Sequence, residues 1–236
     1  MTSAYPLTPI GYIRTPFREK FGIPRQPGLV DVPGVVEMQP GFDKPELFEG
    51  LEAFSHIWIS FVFHQCIDQG WRERVRPPRL GGNQSKGVFA TRSPFRPNHL
   101  GLSVVRLDRI VVDQGRVFLH VRGVDLLDGT PVVDIKPYLP YVDRVEAAVA
   151  GFAPDRPEVR LDVVFSVSAE KQLQCLSPGE MQKNLIEQLV ALDPRPAYQR
   201  NTASDRVYGI HLGNCDVRWQ VEGDVATVIA VEAVLK

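Results

Sequence analysis

Hydrophobic and polar residues alternate with a period of two through much of the first 145 residues, and this pattern predicts β-strands. The segment 53–65 has apolar residues on both faces, so we expect a strand that is buried on both sides. Closely spaced strands separated by glycine and proline turns favour a closed or nearly closed β-barrel. The predicted strands are residues 8–14, 30–38, 53–65, 106–112, 117–127 and 130–135.

The pattern changes after residues 146–157, which carry several alanines and prolines and are predicted to be a linker. Residues 177–192 are predicted to form a helix, because Ser177 and Glu180 have the spacing of a capping box and Pro178 suits the first helical position. Strands are predicted at 159–169, 207–212, 217–221 and 225–234. We therefore expect a mainly β protein, with a closed β-barrel domain over residues 1–145 followed by a small α+β C-terminal domain over residues 158–236.

The net charge of −1 on 236 residues excludes a protein that binds nucleic acid through an overall basic surface. The charge is uneven, however, because residues 71–109 contain nine Lys and Arg side chains but only two acids. A basic patch on a nearly neutral protein indicates an anionic ligand that is bound locally. An ordinary solvated charged surface explains this one cluster equally well.

The three cysteines, Cys66, Cys175 and Cys215, are far apart and form no C-x-x-C pair, which argues against a disulfide framework or a structural zinc site. The five histidines have no metal-ligand spacing, so we predict no metal site. No signal peptide and no apolar stretch long enough to span a bilayer is apparent, and we expect a cytoplasmic protein that does not enter the membrane. Neither a dinucleotide-binding G-x-G-x-x-G motif nor a P-loop occurs.

The stretch 76–103 is rich in proline, glycine and arginine, and it surrounds a short apolar segment, 88–90, that we expect to be a strand. Stiff cationic turns on a rigid β scaffold are typical of a binding site. Other polar residues fall at predicted strand ends and loops. Any one of them has a structural interpretation, and only their number favours a site. The set comprises Arg25, Gln26, His64, Gln65, Arg92, Arg96, Asn98, Asp128, Asp134, Lys136 and Tyr138.

The segment 191–200 follows the predicted helix and is expected to be extended and exposed. Its side chains Arg195, Tyr198 and Arg200 provide two cations and one stacking ring, a combination suited to unpaired nucleotides. An arginine-rich turn that packs on the barrel or on a second subunit is an equally good interpretation.

Five long strings resemble those of the TrmO-type tRNA methyltransferases. They are P-R-Q-P-G (24–28), F-V-F-H-Q (61–65), R-P-P-R-L-G-G-N (76–83), G-V-F-A-T-R-S-P-F-R-P-N (87–98) and D-G-T-P-V-V-D-I-K-P-Y (128–138). The resemblance implies a β-barrel enzyme that uses S-adenosylmethionine to methylate N6 of threonylcarbamoyladenosine next to the anticodon of tRNA. It also implies a homodimer with the cofactor near the subunit interface.

The same resemblance implies a set of cofactor-binding residues, and one position departs from the pattern. His99 stands where a proline or a small residue is expected. The implied cofactor contacts are Pro24, Arg25, Gln26, His64, Gln65, Arg92, Leu102, Asp128, Gly129, Thr130 and Pro131.

The chemistry of methyl transfer suggests roles for the strand 130–138. Transfer from a sulfonium depends mainly on the alignment of the reacting atoms, and removal of the N6 proton would assist it. Asp134 is our hypothesis for the group that removes this proton or orients N6, and Tyr138 for a group that stacks on or bonds the base. Lys136 and Arg96 would meet the threonyl carboxylate or a phosphate, with Asn98 also on the substrate side. The competing interpretation is a non-catalytic tRNA-binding barrel.

Overall fold

The computed structural model describes residues 5–176, 179–195, 199 and 206–234. The chain divides into two compact units, and the division is not a single cut. The first unit contains residues up to Thr15, Gln26–Val75 and Gly87–Glu146, whereas Pro16–Arg25, Arg76–Lys86 and the residues from Ala147 onward make up the second. The stretch 76–103, which the sequence suggested as one site, is therefore shared between the two units.

Strands predominate, and short helices connect or cover them. The regular elements are β1 (Gly11–Arg14), β2 (Pro33–Met38), β3 (His56–Val62), β4 (Arg74–Val75), β5 (Lys86–Gly87), β6 (Leu100–Asp113), β7 (Arg116–Arg122), β8 (Thr130–Pro137), α1 (Pro140–Asp143), β9 (Asp162–Phe165), α2 (Val167–Gln174), α3 (Gly179–Ala191), β10 (Tyr208–Leu212), β11 (Cys215–Glu222) and β12 (Val225–Ala233).

Six strands of the first unit close into a barrel in the order β1-β2-β7-β6-β3-β8, with every neighbouring pair antiparallel. Alternate residues face inward, as the period of two predicts, so that Ile57, Ile59 and Phe61 of β3 are buried in the barrel. The outward residues of β3 are only half-buried or exposed, and the expected burial of both faces is therefore wrong. The predicted closed barrel is confirmed.

Antiparallel pairing brings alternate strand ends to the same end of the barrel. Pro33 at the start of β2 pairs with Arg122 at the end of β7, and Leu100 at the start of β6 pairs with Val62 at the end of β3. Thr130 at the start of β8 likewise pairs with Ile13 near the end of β1. We call this end of the barrel the site end. It is defined by the ends of β1, β3 and β7 and the starts of β2, β6 and β8.

The second unit contains a four-stranded sheet in the order β10-β11-β12-β9, in which β9 runs parallel to β12. Helix α2 was not predicted, and it begins where the Ser166 hydroxyl accepts a hydrogen bond from the Ala169 backbone amide, an N-cap that ends the strand at Phe165. The predicted helix 177–192 is present as α3, although Ser177 and Pro178 of its capping box lie outside the described residues. The predicted α+β character of this part is confirmed.

A segment from early in the chain is also part of the second unit. The Pro16 carbonyl accepts a hydrogen bond of 2.7 Å from the Gly213 backbone amide, and Phe17 forms a bridge with Leu212. The fully buried Trp219 stacks with the rings of Phe21 and Tyr208, whose centroids lie 6.3 and 5.9 Å from its own. Large apolar side chains of residues 16–25 thus complete the core of the C-terminal sheet.

Candidate active site

Two predicted cofactor residues from distant loops meet in the first unit. The Arg92 guanidinium donates a hydrogen bond of 2.6 Å from Nη1 to Oε1 of Gln26. Arg92 lies in the loop that leads into β6, and Gln26 in the loop that leads into β2, so both loops enter the barrel at the site end. The antiparallel topology therefore brings together a cation and an amide that are far apart in the chain.

The turn before β8 lies at the same end and is held rigidly. Thr15 donates twice to it, from its backbone amide to Oδ1 of Asp128 at 3.0 Å and from its hydroxyl to the Leu126 carbonyl at 2.9 Å. The Thr130 hydroxyl closes the turn on the Leu127 carbonyl at 2.7 Å. Gly129 has φ of 74°, a conformation that suits glycine. Three of the four predicted residues in this turn, Asp128 to Thr130, thus have structural roles that fix the turn's shape.

The loop before β6 is shaped by its own polar side chains. The apolar segment Val88–Ala90 is a single 3₁₀ turn rather than the predicted strand, and Phe89 is 78% exposed. Arg96 donates from Nη1 to the Thr91 carbonyl at 3.0 Å, so its side chain braces the loop. Asn98 adopts a left-handed conformation with φ of 64°.

The backbone conformation of His99 explains why a proline is not found at this position. Its φ is +50°, a value that the proline ring cannot reach, since that ring holds φ near −65°. Its ring nitrogen Nδ1 lies 2.9 Å from the Pro94 carbonyl oxygen, and its own carbonyl accepts a hydrogen bond from the Phe63 backbone amide. A small residue could take this backbone conformation, but the ring contact to Pro94 would be lost.

The remaining predicted residues of the first unit lie on or beside β3, β6 and β8. His64 and Gln65 begin the 3₁₀ helix His64–Gln69 that follows β3 at the site end. Leu102 and Asp134 both pair with Ser60, so these three residues form one row on the outer face of the barrel. Leu102 is half-exposed, and Asp134 forms an ion pair with Lys136 on the same face.

Tyr138 is not brought to this site within one chain. It lies eight residues beyond Thr130 along β8, a distance of about 26 Å at about 3.3 Å per residue, and therefore near the opposite end of the barrel. There its ring packs against Trp58 and His56, with centroid distances of 5.9 and 6.4 Å. Tyr138 nevertheless follows Asp134 and Lys136 at a spacing of two residues, about 7 Å beyond Lys136 and about 13 Å beyond Asp134, so these three residues lie along the same outer face.

Five of the predicted site residues fall in the segments that make up the second unit. Pro24 and Arg25 fall in its segment Pro16–Arg25, and Tyr198 and Arg200 lie outside the described residues. Arg195 is only 5% exposed, and its guanidinium forms a two-point ion pair with Asp193, at 2.7 Å from Nε and 3.1 Å from Nη2. The predicted exposure of Arg195 is therefore wrong, because its guanidinium is buried and its charge is neutralised by the Asp193 carboxylate.

Sequence reasoning missed Asp125, a carboxylate at the site end. It follows β7 and accepts a hydrogen bond of 2.7 Å from the hydroxyl of Ser103, which is 1% exposed. Burial raises the pKa of the Asp125 carboxyl to about 6, although the Ser103 hydroxyl and the Arg92 guanidinium both act to lower it. Asp125 lies inside the predicted strand 117–127. A single acid near the end of a strand belongs to no sequence motif, so it was not recognised as a site residue.

The fold and the site together define a class of ligand-binding β-barrel proteins. The molecule is a closed antiparallel barrel whose loops at one end carry a guanidinium, amides and acids on a rigid backbone, which suits a small charged ligand. Across the residues that the structure describes, no group of three or more His, Cys, Asp or Glu side chains is placed to hold a metal ion. No helix in the described part of the chain is long and apolar enough to cross a membrane.

Comparison with known proteins identifies the family. Residues 12–144 match the N-terminal domain of tRNA-methyltransferase O, and residues 158–234 match the C-terminal domain of TrmO. The chain belongs to this family. It is 46% identical to the tRNA (adenine(37)-N6)-methyltransferase of Escherichia coli K12, over 98% of this chain and 99% of that protein.

Other relatives extend the likeness. A putative S-adenosylmethionine-dependent methyltransferase of Pseudomonas aeruginosa PAO1 is 50% identical over 90% of this chain and 91% of that protein. A crystal structure of TrmO from Pseudomonas aeruginosa superposes with a TM-score of 0.79 at 40% identity, covering 98% of this chain and 99% of that one. The resemblance seen in the sequence motifs is thereby confirmed over both parts of the chain.

Proposed function

We propose that this protein transfers a methyl group from S-adenosylmethionine to N6 of adenosine 37 in tRNA, with threonylcarbamoyladenosine next to the anticodon as the substrate base. The relatives named as tRNA (adenine(37)-N6)-methyltransferases support the reaction, and they match nearly the whole chain in the case of the Escherichia coli protein. The observation that carries the proposal is the meeting of Arg92 and Gln26 beside the rigid turn at the site end of the barrel.

The cofactor part of the proposal concerns the loops at the site end. S-adenosylmethionine supplies an activated methyl group on a sulfonium, and the protein's contribution is to hold that group in line with the acceptor nitrogen. Arg92 offers a guanidinium suited to the carboxylate of the donor, and the backbone of the turn offers a fixed wall. The proposed contacts are Pro24, Arg25, Gln26, His64, Gln65, Arg92, Leu102, Asp128, Gly129, Thr130 and Pro131.

The base part of the proposal concerns the outer face of the barrel. Asp134 would accept the N6 proton or orient that nitrogen, and it lies on the same outward row as Leu102, two strand spacings away, or about 10 Å. Lys136 pairs with Asp134 in this structure, and a threonyl carboxylate would compete for its ammonium group. Arg96 and Asn98 belong to the same side of the proposal.

Assembly and RNA contact complete the proposal. Tyr138 lies about 26 Å along β8 from Thr130 but only about 13 Å from Asp134, so it belongs to the base part of the proposal and not to the donor loops. A homodimer is also part of the proposal, as is a cytoplasmic location with tRNA. We further propose residues 1–145 as the catalytic domain and residues 158–236 as a tRNA-contacting domain, with Tyr198 and Arg200 but not the buried Arg195.

Two measurements test the function. Calorimetry with S-adenosylmethionine should detect binding to the native protein and a large loss for Arg92→Ala, whereas Arg109→Ala, an exposed arginine on β6, should bind normally. Mass spectrometry of nucleosides should then find one added methyl on threonylcarbamoyladenosine after incubation with tRNA and donor. Binding of tRNA without binding of the donor would instead favour the non-catalytic barrel.

A further inference from the structure

Two large aromatic side chains of the first unit are open to solvent near the loop that leads into β6. The exposed fraction is 56% for Trp71 and 78% for Phe89. All four residues of the segment 71–74 are exposed, so this stretch is accessible along its whole length. Exposed aromatic rings that lie together are typical of a surface that binds a partner.

Backbone hydrogen bonds place the two rings on neighbouring segments of the chain. The Arg72 amide donates to the Phe95 carbonyl at 3.0 Å, and the Val88 amide donates to the Glu73 carbonyl at 2.9 Å. Each exposed ring belongs to the residue next to one of these bonds. The Cα atoms of the two aromatic residues are therefore no more than about 17 Å apart, and one loop of RNA can reach both.

Two arginine side chains of these segments are held in place. The Arg72 guanidinium lies 4.2 Å from the centroid of the Phe95 ring, a close cation–π contact. Arg96 donates from Nη1 to the Thr91 carbonyl at 3.0 Å. Neither contact involves an acid, so both arginines are positioned without their positive charge being neutralised by it.

The charge around the rings favours an anionic partner. Residues 71–75 and 87–99 contain four arginines and a single acid, Glu73. Unpaired nucleotides present flat bases for stacking and phosphates for cations, and exposed rings beside fixed guanidinium groups match both. If a second copy of the chain covered this surface across a two-fold axis, like charges would face each other, which disfavours that partner.

The same segments lead to the loops that we propose bind the methyl donor. Thr91, whose carbonyl accepts the hydrogen bond from Arg96, is followed in the chain by Arg92. Arg92 donates to Gln26 at 2.6 Å. An RNA strand on the segments 71–74 and 88–95 therefore lies beside the proposed donor site.

We propose that Trp71, Arg72 and Phe89 form a stacking surface, which binds the unpaired nucleotides that flank the base to be methylated. The inference rests on the proposed function. It adds RNA contacts in the barrel unit to those proposed for the C-terminal domain.

The test uses the full-length protein, with a fluorescent anticodon stem-loop RNA as the probe. Trp71→Ala and Phe89→Ala should each raise the Kd for this RNA about tenfold, the usual scale for losing one base stacked on a ring. Trp71→Phe should keep most of the affinity and Trp71→Leu should not, because leucine is apolar but cannot stack. Tyr5→Ala is the matched control and should bind normally, since Tyr5 is an 88% exposed ring on the N-terminal segment.

The cationic part of the surface has a separate readout. The binding constant falls with salt concentration, and the slope on logarithmic axes reports the number of phosphates that are neutralised. Arg72→Gln should reduce the magnitude of this slope by about 0.7, the value for one single-strand phosphate, whereas Arg72→Lys and Trp71→Ala should leave it unchanged. Arg116→Gln is the control, because Arg116 also lies over a ring, 5.2 Å from the centroid of Phe118, but at the β6–β7 hairpin.

Calorimetry with S-adenosylmethionine and sedimentation of each variant distinguish the alternatives. We expect the donor affinity and the number of subunits to match those of the native protein. A variant with a changed number of subunits would show that the rings contact a second copy of the chain. A variant that loses donor binding would show that they belong to the donor site. Either result overturns the inference.

The remaining outcomes separate this inference from the function on which it rests. If the native protein binds the RNA and neither alanine variant weakens that binding, the stacking surface is wrong and the proposed function stands. If the native protein neither binds nor methylates the RNA, both proposals are wrong. Should an alanine variant not fold, equal RNA affinity of Trp71→Phe and Trp71→Leu is sufficient to reject the inference.

Discussion

Replacing Asp125 with asparagine should stabilise the barrel at neutral pH. The carboxyl has an ordinary pKa of 3.8, and burial raises its pKa in the folded protein to about 6. Between these values the folded state holds the proton more tightly than the unfolded chain, so the free energy of unfolding falls as the pH rises through this range. Since one pKa unit corresponds to about 1.4 kcal/mol, the carboxylate costs at most about 3 kcal/mol above pH 6.

The asparagine variant removes this cost, but its amide group needs a partner of its own, so we expect a gain of about 1 to 3 kcal/mol at pH 7.5. Urea unfolding of the native protein and the variant at pH 7.5 and at about pH 4 measures it. The gain should be largest at the higher pH and small at the lower one. Asp113→Asn, in the exposed turn between β6 and β7, should show no comparable gain. A variant that is less stable than the native protein at pH 7.5, or a gain that does not depend on pH, would refute the reasoning.

Three other substitutions probe features that the structure revealed. Arg195→Ala should destabilise the C-terminal unit by about 3–5 kcal/mol in thermal unfolding, because it removes both guanidinium hydrogen bonds from the buried Asp193 carboxylate; an effect below about 1 kcal/mol, the usual size for an exposed pair, would mean that the pair is exposed in solution. Gly101→Ala should cost about 1–3 kcal/mol, since a Cβ atom there would lie 2.3 Å from the Phe61 ring; urea unfolding measures it, and a neutral result would show that the ring moves freely. His99→Pro should distort the loop before β6, because proline cannot adopt φ of +50°, and should weaken donor binding in calorimetry while Asp113→Asn does not; unchanged affinity would show that the loop geometry is irrelevant to the donor.

Much of the barrel can be predicted from the sequence, because its strands and turns depend on short segments of the chain. The inward and outward alternation along β3 and the glycine turn at Asp128-Gly129 are properties of short segments, and they predict strands and their connections directly. The predicted strand 117–127 ended early, at Arg122, because Gly123 has φ of 79° and turns the chain toward the β2 side, where its amide bonds the Val32 carbonyl.

The candidate site shows where local reasoning fails. Loop residues such as Arg92 and Gln26 were identifiable by residue type, and the antiparallel topology of the barrel brought their loops together. Tyr138 has an equally suitable side chain, but its position along β8 places it near the other end of the barrel. Arg195 and its partner Asp193 are only two residues apart in the chain, but only the tertiary structure shows that both are buried.

The amino-acid sequence alone determined the strand periodicity, the turn positions and the family motifs, because each depends on residues that are near neighbours in the chain. Only the tertiary structure decided which polar groups share a site, which of them are buried, and that residues 16–25 complete the core of the C-terminal sheet. The physical reason is that barrel closure and burial depend on pairings between residues far apart in the chain. The pKa of Asp125 is the clearest case, since burial in the folded protein raises it while Ser103 and Arg92, neither of them a neighbour in sequence, act to lower it.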